Sequence, residues 1–283
     1  MKKKLYHVSF LFLALFTFYH TYQIENSLNN NNPIIYEINK TKTKYKKDYI
    51  NATIIGNSIL SGKNGKDINL KKSYKKMKQY GSYNEILTTI KETTPKISIE
   101  NNYDKYLVGG NQTDKKMSFI FPIKDNKEFI NILKILNNKK VPGTFFIDGT
   151  FLEKNISFIK ENKEHEFELL SYQNSYEESF FKTSLSYLSS ISNNKPKYCY
   201  TEVEKESLLN LCKKMKLHTV KSPIIIKKNL YQKIKNNLKN GTIISIDNNY
   251  YTEKELSLTI DYIKEKGYKL VSLNELLTEE NNE

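Results

Sequence analysis

Lys140-Val141-Pro142-Gly143-Thr144-Phe145-Phe146-Ile147-Asp148-Gly149-Thr150-Phe151-Leu152-Glu153-Lys154-Asn155 is the stretch whose reading decides the fold. It reads as a buried strand that leads through a glycine turn into a helix. The same rhythm extends on both sides. From Met117 onward, short apolar strands are expected at Met117–Phe121, Thr144–Asp148, Glu166–Ser171, Lys197–Tyr200, His218–Ile226, Thr242–Asp247 and Lys269–Leu273. Amphipathic helices fall between them. Phe129, Ile132, Leu133 and Leu136 repeat at helical spacing, as do Leu208, Leu211, Cys212 and Met215. Seven βα units call for a parallel sheet, closed into a barrel or left open. No repeat is visible beyond that rhythm.

Upstream the pattern is different. Residues 1–24 read as a signal peptide or an N-terminal membrane anchor. Lys2, Lys3 and Lys4 precede the apolar run Val8–Tyr19, and no Cys or convincing cleavage site follows. Left uncut, Leu5–Ile24 is just long enough to span a bilayer. Residues 25–47 are rich in Asn and Lys and read as a flexible tether. Residues 48–112 read as a small α+β accessory region, with strands at Thr53–Ile55, Ser58–Leu60 and Lys96–Ile99 and a helix over Ser73–Thr89 broken near Gly81. Residues 113–283 form the main domain.

The net charge of +14 comes entirely from lysine, because the 283-residue chain contains no Arg. A surplus of this kind suits an anionic envelope polymer or lipid headgroups. It argues against nucleic acid, where Arg is the usual residue for bidentate contacts. A purely structural surface protein would bind through such charge alone, in a way that salt abolishes and that ignores glycan identity.

The two cysteines are Cys199 and Cys212. Cys199 is placed at the end of a strand and Cys212 about nine residues into the next helix, roughly 13 Å along its axis. A disulfide needs Cα atoms within about 7 Å, so the expectation is two thiols. Cys199 with His218, the histidine of the next strand, is then a conceivable nucleophile–base pair.

The Thr144–Gly149 segment resembles the second strand of the polysaccharide deacetylases (NodB-like carbohydrate esterases), and the resemblance runs from about Met117 to Leu277. It implies a distorted (β/α)7-type barrel, with a metal-activated water acting on an acetamide at the C-terminal ends of the strands. The closing Ile263–Leu277 matches the family's last helix and strand. The chemical positions do not match. Pro122 and Ile123 stand where the family has its base and a metal-binding Asp, and Leu170 and Asn174 stand where it has two ligand histidines. No Arg lies near Tyr198–Glu202, Lys221-Ser222-Pro223 occupies the place of a further Asp, and Asp247 replaces the general-acid His. A metal site is therefore not expected, and neither is a cofactor.

The residues left at the strand ends suggest a cleft that binds glycan by hydrogen bonds and stacking: Asp148, Tyr172, Asn174, Cys199, Tyr200 and Asp247, with Glu202, Tyr176 and Tyr198 beside them. Asp125 and Asp247 are weak catalytic candidates, and Asp125 is also suited to cap the helix that follows. A surviving hydrolase would need a rearranged set from Asp125, Asp148, Glu166, Asn174 and Asp247, suited to a hard cation. The expected partner is a cell-wall or other N-acetylated polysaccharide, with export to the envelope and membrane attachment if the N-terminal segment is retained.

Overall fold

The computed structural model describes residues 15–17, 19, 32–123, 128–171, 175–192 and 195–281. In chain order the first elements are α1 (Pro33–Tyr45), β1 (Thr53–Ile55), β2 (Ser58–Leu60), β3 (Gly65–Ile68), α2 (Leu70–Lys78), β4 (Ile90–Thr93), β5 (Tyr106–Gly109) and β6 (Lys116–Ile123). Then come α3 (Phe129–Lys139), β7 (Thr144–Asp148), α4 (Gly149–Lys154), α5 (Ile156–Glu161), β8 (Glu166–Ser171), α6 (Glu178–Ile191), β9 (Tyr198–Thr201) and α7 (Glu206–Lys214). The last are β10 (His218–Lys221), β11 (Ile224–Ile226), α8 (Leu230–Asn236), β12 (Thr242–Ile246), α9 (Tyr250–Glu265), β13 (Lys269–Leu270) and α10 (Leu273–Leu277). They divide into a smaller unit, drawn from residues 1–49 and 64–93, and a larger one, from residues 50–63 and 94–283.

This division differs from the sequence reading in two ways. Pro33–Tyr45 was expected inside a flexible tether and is instead α1. Asn32 caps it by accepting the N–H of Ile34 at 3.0 Å, and Pro33 supplies the preset φ of a first helical residue. Its Ile34 and Ile38 pack on Ile68 and Met77 to form a small core. A lysine-rich composition concealed an apolar face one residue wide per turn. The proposed accessory region is also split, because β1, β2 and β5 join the main sheet, whereas β3, β4 and α2 belong to the smaller unit. The helix expected to Thr89 ends at Lys78, and Ile97 is not in a strand.

In the larger unit, seven βα units build a barrel, the form that the family resemblance implies and that the periodicity leaves open between barrel and open sheet. Strands β6, β7 and β8 are parallel neighbours, as are β12 with β6, β11 with β12, and β10 with β9. The segment read as one strand, His218–Ile226, is two. At Ser222-Pro223 the chain leaves β9 and joins β12. The Ser222 hydroxyl there lies 3.0 Å from the Ile243 carbonyl and accepts the N–H of Ser245 at 3.0 Å. The wedge below that kink is filled by β5, which pairs with β10 and meets β12 at Thr242 and Gly109. Gly241, at φ +71°, permits the approach, since a Cβ there would lie 2.5 Å from the Gly110 carbonyl.

Alternation along each strand sorts the core into two layers. Phe119, Phe121, Phe145, Ile147, Phe167 and Leu169 face the helices. Ile120, Phe146, Leu170, Tyr198, Tyr200 and Ile243 face the barrel interior. Each fully buried Phe or Ile contributes roughly 1.5–3 kcal/mol, so the two layers dominate stability.

Two links hold β9, one to β8 and one to α7. No backbone ladder joins β8 to β9 among the described residues. Instead the buried Glu168 carboxylate accepts the N–H groups of Lys197 at 2.9 Å and Tyr198 at 3.0 Å. The second link corrects the cysteine expectation: Cys199 and Cys212 form a disulfide, with Cα atoms 6.4 Å apart. Helix α7 runs back along β9, so distance along its axis brings Cys212 toward Cys199 rather than away from it.

Two outcomes are expected. Glu168→Ala orphans two buried N–H groups and should cost about 2–4 kcal/mol in urea unfolding; a loss below about 0.5 kcal/mol would show that the seam does not need it. Cys199→Ala/Cys212→Ala, which removes a bridge closing a loop of about 13 residues, should lower stability by about 2–4 kcal/mol, and the unreduced protein should show no reactive thiol.

Candidate functional site

The C-terminal ends of β6, β8 and β9 frame a cleft of about 330 Å³ lined by Pro122, Leu170, Ser171, Tyr176, Tyr200, Thr201, Glu202, Val203 and Lys205. This is the end of the barrel where strand-terminal residues and loops of such folds assemble their sites. Its floor is apolar and rigid. Pro122 and Leu170 come from the inward positions of their strands, and the Tyr200 ring lies 5.3 Å from that of Phe146. The Tyr200 hydroxyl pairs with Ser245 Oγ at 2.7 Å. One wall is Tyr176, with the Lys205 ammonium 4.4 Å from its ring centre. Val203, 68% exposed, stands on the rim.

Of the residues the sequence put in the cleft, Tyr200 lines it, and so do Tyr176 and Glu202. Asp247 follows β12 beside it; its carbonyl accepts from Thr252 Oγ1 and its charge reaches Tyr200. Asp148 is buried and occupied elsewhere. It caps α4 by accepting from the N–H and hydroxyl of Thr150, and it accepts from the Ser171 hydroxyl at 2.6 Å. Cys199 is removed from the cleft twice over, by its outward position in β9 and by its disulfide. That also ends any Cys–His chemistry. His218 sits at the start of β10, stacked on Tyr103 at 4.1 Å, with Nε2 3.8 Å from Glu100. Asp125, Tyr172 and Asn174 lie outside the described residues. The reading missed Ser171, Thr201, Val203 and Lys205 as lining groups. Their signal was position alone, at or just past the ends of β8 and β9.

Burial is the main cause of the raised pKa of both cleft tyrosines. Carboxylates add to it, Asp148 and Glu202 at Tyr176, and Glu202 and Asp247 at Tyr200, where the Ser245 hydrogen bond opposes the rise. Both hydroxyls are therefore neutral donors at physiological pH. The cleft offers aromatic faces, hydroxyls, one carboxylate and one ammonium, which is hydrogen-bonding and stacking chemistry.

A divalent metal does not fit these groups. Pro122 and Leu170 have no donor atom, and the Ile123 side chain is buried against the helices. No cluster of three His, Cys, Asp or Glu suited to an ion occurs among the described residues. Of the rearranged carboxylate set, Glu166 lies away from the cleft. Glu166 begins β8, at the far end of the barrel, where it accepts from Thr144 Oγ1 at 2.9 Å and from the N–H of Asn274 at 3.1 Å. Nearby His165 is structural: its Nδ1 accepts from the Gly143 N–H and its Nε2 donates to Asn137 Oδ1.

This barrel, with its cleft at the strand ends, is the fold of the polysaccharide deacetylases, the family 4 carbohydrate esterases. No protein-family model matches the chain. Among solved structures, wild-type BA3943 from Bacillus anthracis, a CE4 family pseudoenzyme, is similar with a TM-score of 0.66 and 20% identity, over 89% of this chain and 97% of that one. A mutant of that protein is described as having restored enzymatic activity. The Bc1960 peptidoglycan N-acetylglucosamine deacetylase is similar with a TM-score of 0.54 and 17% identity, over 62% of this chain and 95% of that one. The uncharacterized protein YlxY of Bacillus subtilis is 25% identical over 274 residues, 87% of this chain and 84% of its own length.

Burial pulls the His165 pKa below its ordinary 6.5, so the unfolded chain takes up this proton first as pH falls. Stability should therefore decline on acidification below about pH 6.5. His165→Gln keeps one donor and one acceptor and should flatten that decline in urea unfolding between about pH 7.5 and 5. An unchanged slope would mean that other groups set it.

Proposed function

We propose that this protein is a cell-envelope glycan-binding protein that uses a polysaccharide deacetylase cleft without metal-dependent hydrolysis. The observation that carries the reading is the coexistence of an intact cleft with Pro122 and Leu170 at its floor. A sugar ring needs an apolar or aromatic face to stack on and hydroxyls to bond with, and Tyr176, Tyr200, Thr201 and Glu202 supply these. Water activation needs a base and a Lewis acid, and the floor supplies neither. The likeness to a pseudoenzyme supports the loss of catalysis, and the likeness to a peptidoglycan deacetylase supports an N-acetylated glycan as ligand.

Export by the N-terminal segment completes the proposal. It is supported by the apolar run behind Lys2–Lys4 and by the buried Cys199–Cys212 bridge, which suits an oxidising compartment. Retention of the segment would leave the protein attached to the membrane.

The test is calorimetric binding of N-acetylglucosamine oligomers and purified peptidoglycan, with acetate release followed in parallel. Saturable binding without release is expected. Tyr176→Ala, which removes one wall, should weaken binding about 10-fold, equivalent to about 1.4 kcal/mol. Chelator-sensitive acetate release would overturn the loss of catalysis, and absence of binding at low salt would overturn the glycan reading.

A further inference from the structure

The smaller unit carries charge out of proportion to its size. Residues 33–49 and 64–93 hold twelve lysines against five carboxylates, a net +7, half of the +14 of the whole chain. Ion pairing divides these lysines sharply. On α1, Lys42 pairs with Asp67 at 3.2 Å, Lys44 pairs with Glu85, and Lys40 faces Glu37. On α2, Lys71, Lys72, Lys75, Lys76 and Lys78 are all exposed, and none forms an ion pair among the described residues.

Helical geometry places those five on one side. Ser73 and Met77, four residues apart, are the buried residues of α2, and Met77 lies in the small core. At about 100° per residue the five lysines cover the opposite face. Five like charges on a helix of nine residues repel one another and destabilise it unless an opposite charge lies against them. Exposed apolar groups stand at both ends of the helix: Leu70 is 39% exposed and Tyr80 is 70% exposed. Lysines with apolar and aromatic groups at their margins suit an anionic layer that is polar outside and apolar just beneath.

The chain before this unit indicates which anionic layer. The apolar run Val8–Tyr19 sits behind Lys2–Lys4, and α1 begins at Pro33. Residues 25–32, fully extended, reach at most about 29 Å. A membrane-held N-terminal segment would therefore keep the lysine face within reach of the headgroups, where contact brings the charges inside a Debye length.

We propose that the α2 face of the smaller unit docks on the surface of an anionic lipid bilayer and holds the start of the folded chain against it. This goes beyond the glycan reading and does not depend on it, since no cleft residue takes part.

Lysine acylation footprinting of the full chain tests it. The protein is incubated with vesicles of phosphatidylcholine alone, of phosphatidylcholine and phosphatidylglycerol in equal parts, or with soluble polyglutamate. Labelling of Lys71, Lys72, Lys75, Lys76 and Lys78 should slow about 5-fold or more on the phosphatidylglycerol vesicles only, the factor that one lysine's attraction to an anionic headgroup layer supplies. The protection should vanish at about 1 M salt, where the Debye length is near 3 Å. Lys71→Gln/Lys72→Gln/Lys75→Gln/Lys76→Gln keeps good helix formers at exposed sites and should retain the circular dichroism spectrum. In that variant, Lys78 should lose its protection while the glycan binding of the cleft stays unchanged. Equal labelling on both kinds of vesicle, or equal protection by polyglutamate, would overturn the proposal.

Discussion

Between β8 and β9 the barrel has no backbone ladder among the described residues, and the Glu168 carboxylate does that work by accepting the N–H groups of Lys197 and Tyr198. Burial raises the Glu168 pKa well above its ordinary value, while the two backbone donors pull it down. A buried carboxyl group is tolerated in such a place only when its oxygens are hydrogen-bonded. Much else relies on this seam. Tyr198 and Tyr200 stay directed inward on β9, Cys199 stays directed outward to its bridge with Cys212, and the wall of the cleft beyond Thr201 is set in place.

The cleft shows how strand ends can form a concavity whose floor carries no metal-ligating side chain. Strand ends, inward side chains and the loop after β9 create concavity by geometry alone, so apolar residues at Pro122 and Leu170 do not collapse it. Leu170 packs on the inner core. Burying unpartnered carboxylates or imidazoles at the same depth would be costly, so an apolar floor is the stable filling for this place. Asp148 is held in a similar way: a carboxylate at a strand end caps the helix that follows through Thr150 and ties to β8 through the Ser171 hydroxyl.

The smaller unit obeys a different balance. Its core is four buried residues, Ile34, Ile38, Ile68 and Met77, with Tyr45, Tyr74, Tyr83 and Leu87 packed around them. So small a core leaves little stability to spare, and the ion pairs of α1 are mostly exposed, where solvent screening leaves them little to contribute. Its concentration of positive charge is therefore a feature of its surface and of what lies against that surface, not of its fold.

The sequence by itself determined the βα rhythm from Met117, the strand at Thr144–Asp148, the inward and outward alternation, and the absence of ligand atoms at Pro122 and Leu170. These are local properties, carried by periodicity and by residue type. Tertiary structure decided the rest. It folded α1 out of a segment whose composition reads as a tether, because Ile34 and Ile38 found a partner surface in Ile68 and Met77. It drew β5 into the barrel by closing a wedge that exists only once Ser222-Pro223 has bent the chain. It brought Cys212 back to Cys199 by running a helix antiparallel to its strand, and it assigned Asp148 to a cap instead of the cleft. Each of these depends on which surfaces meet, and that is a property of long-range packing, which no window of sequence contains.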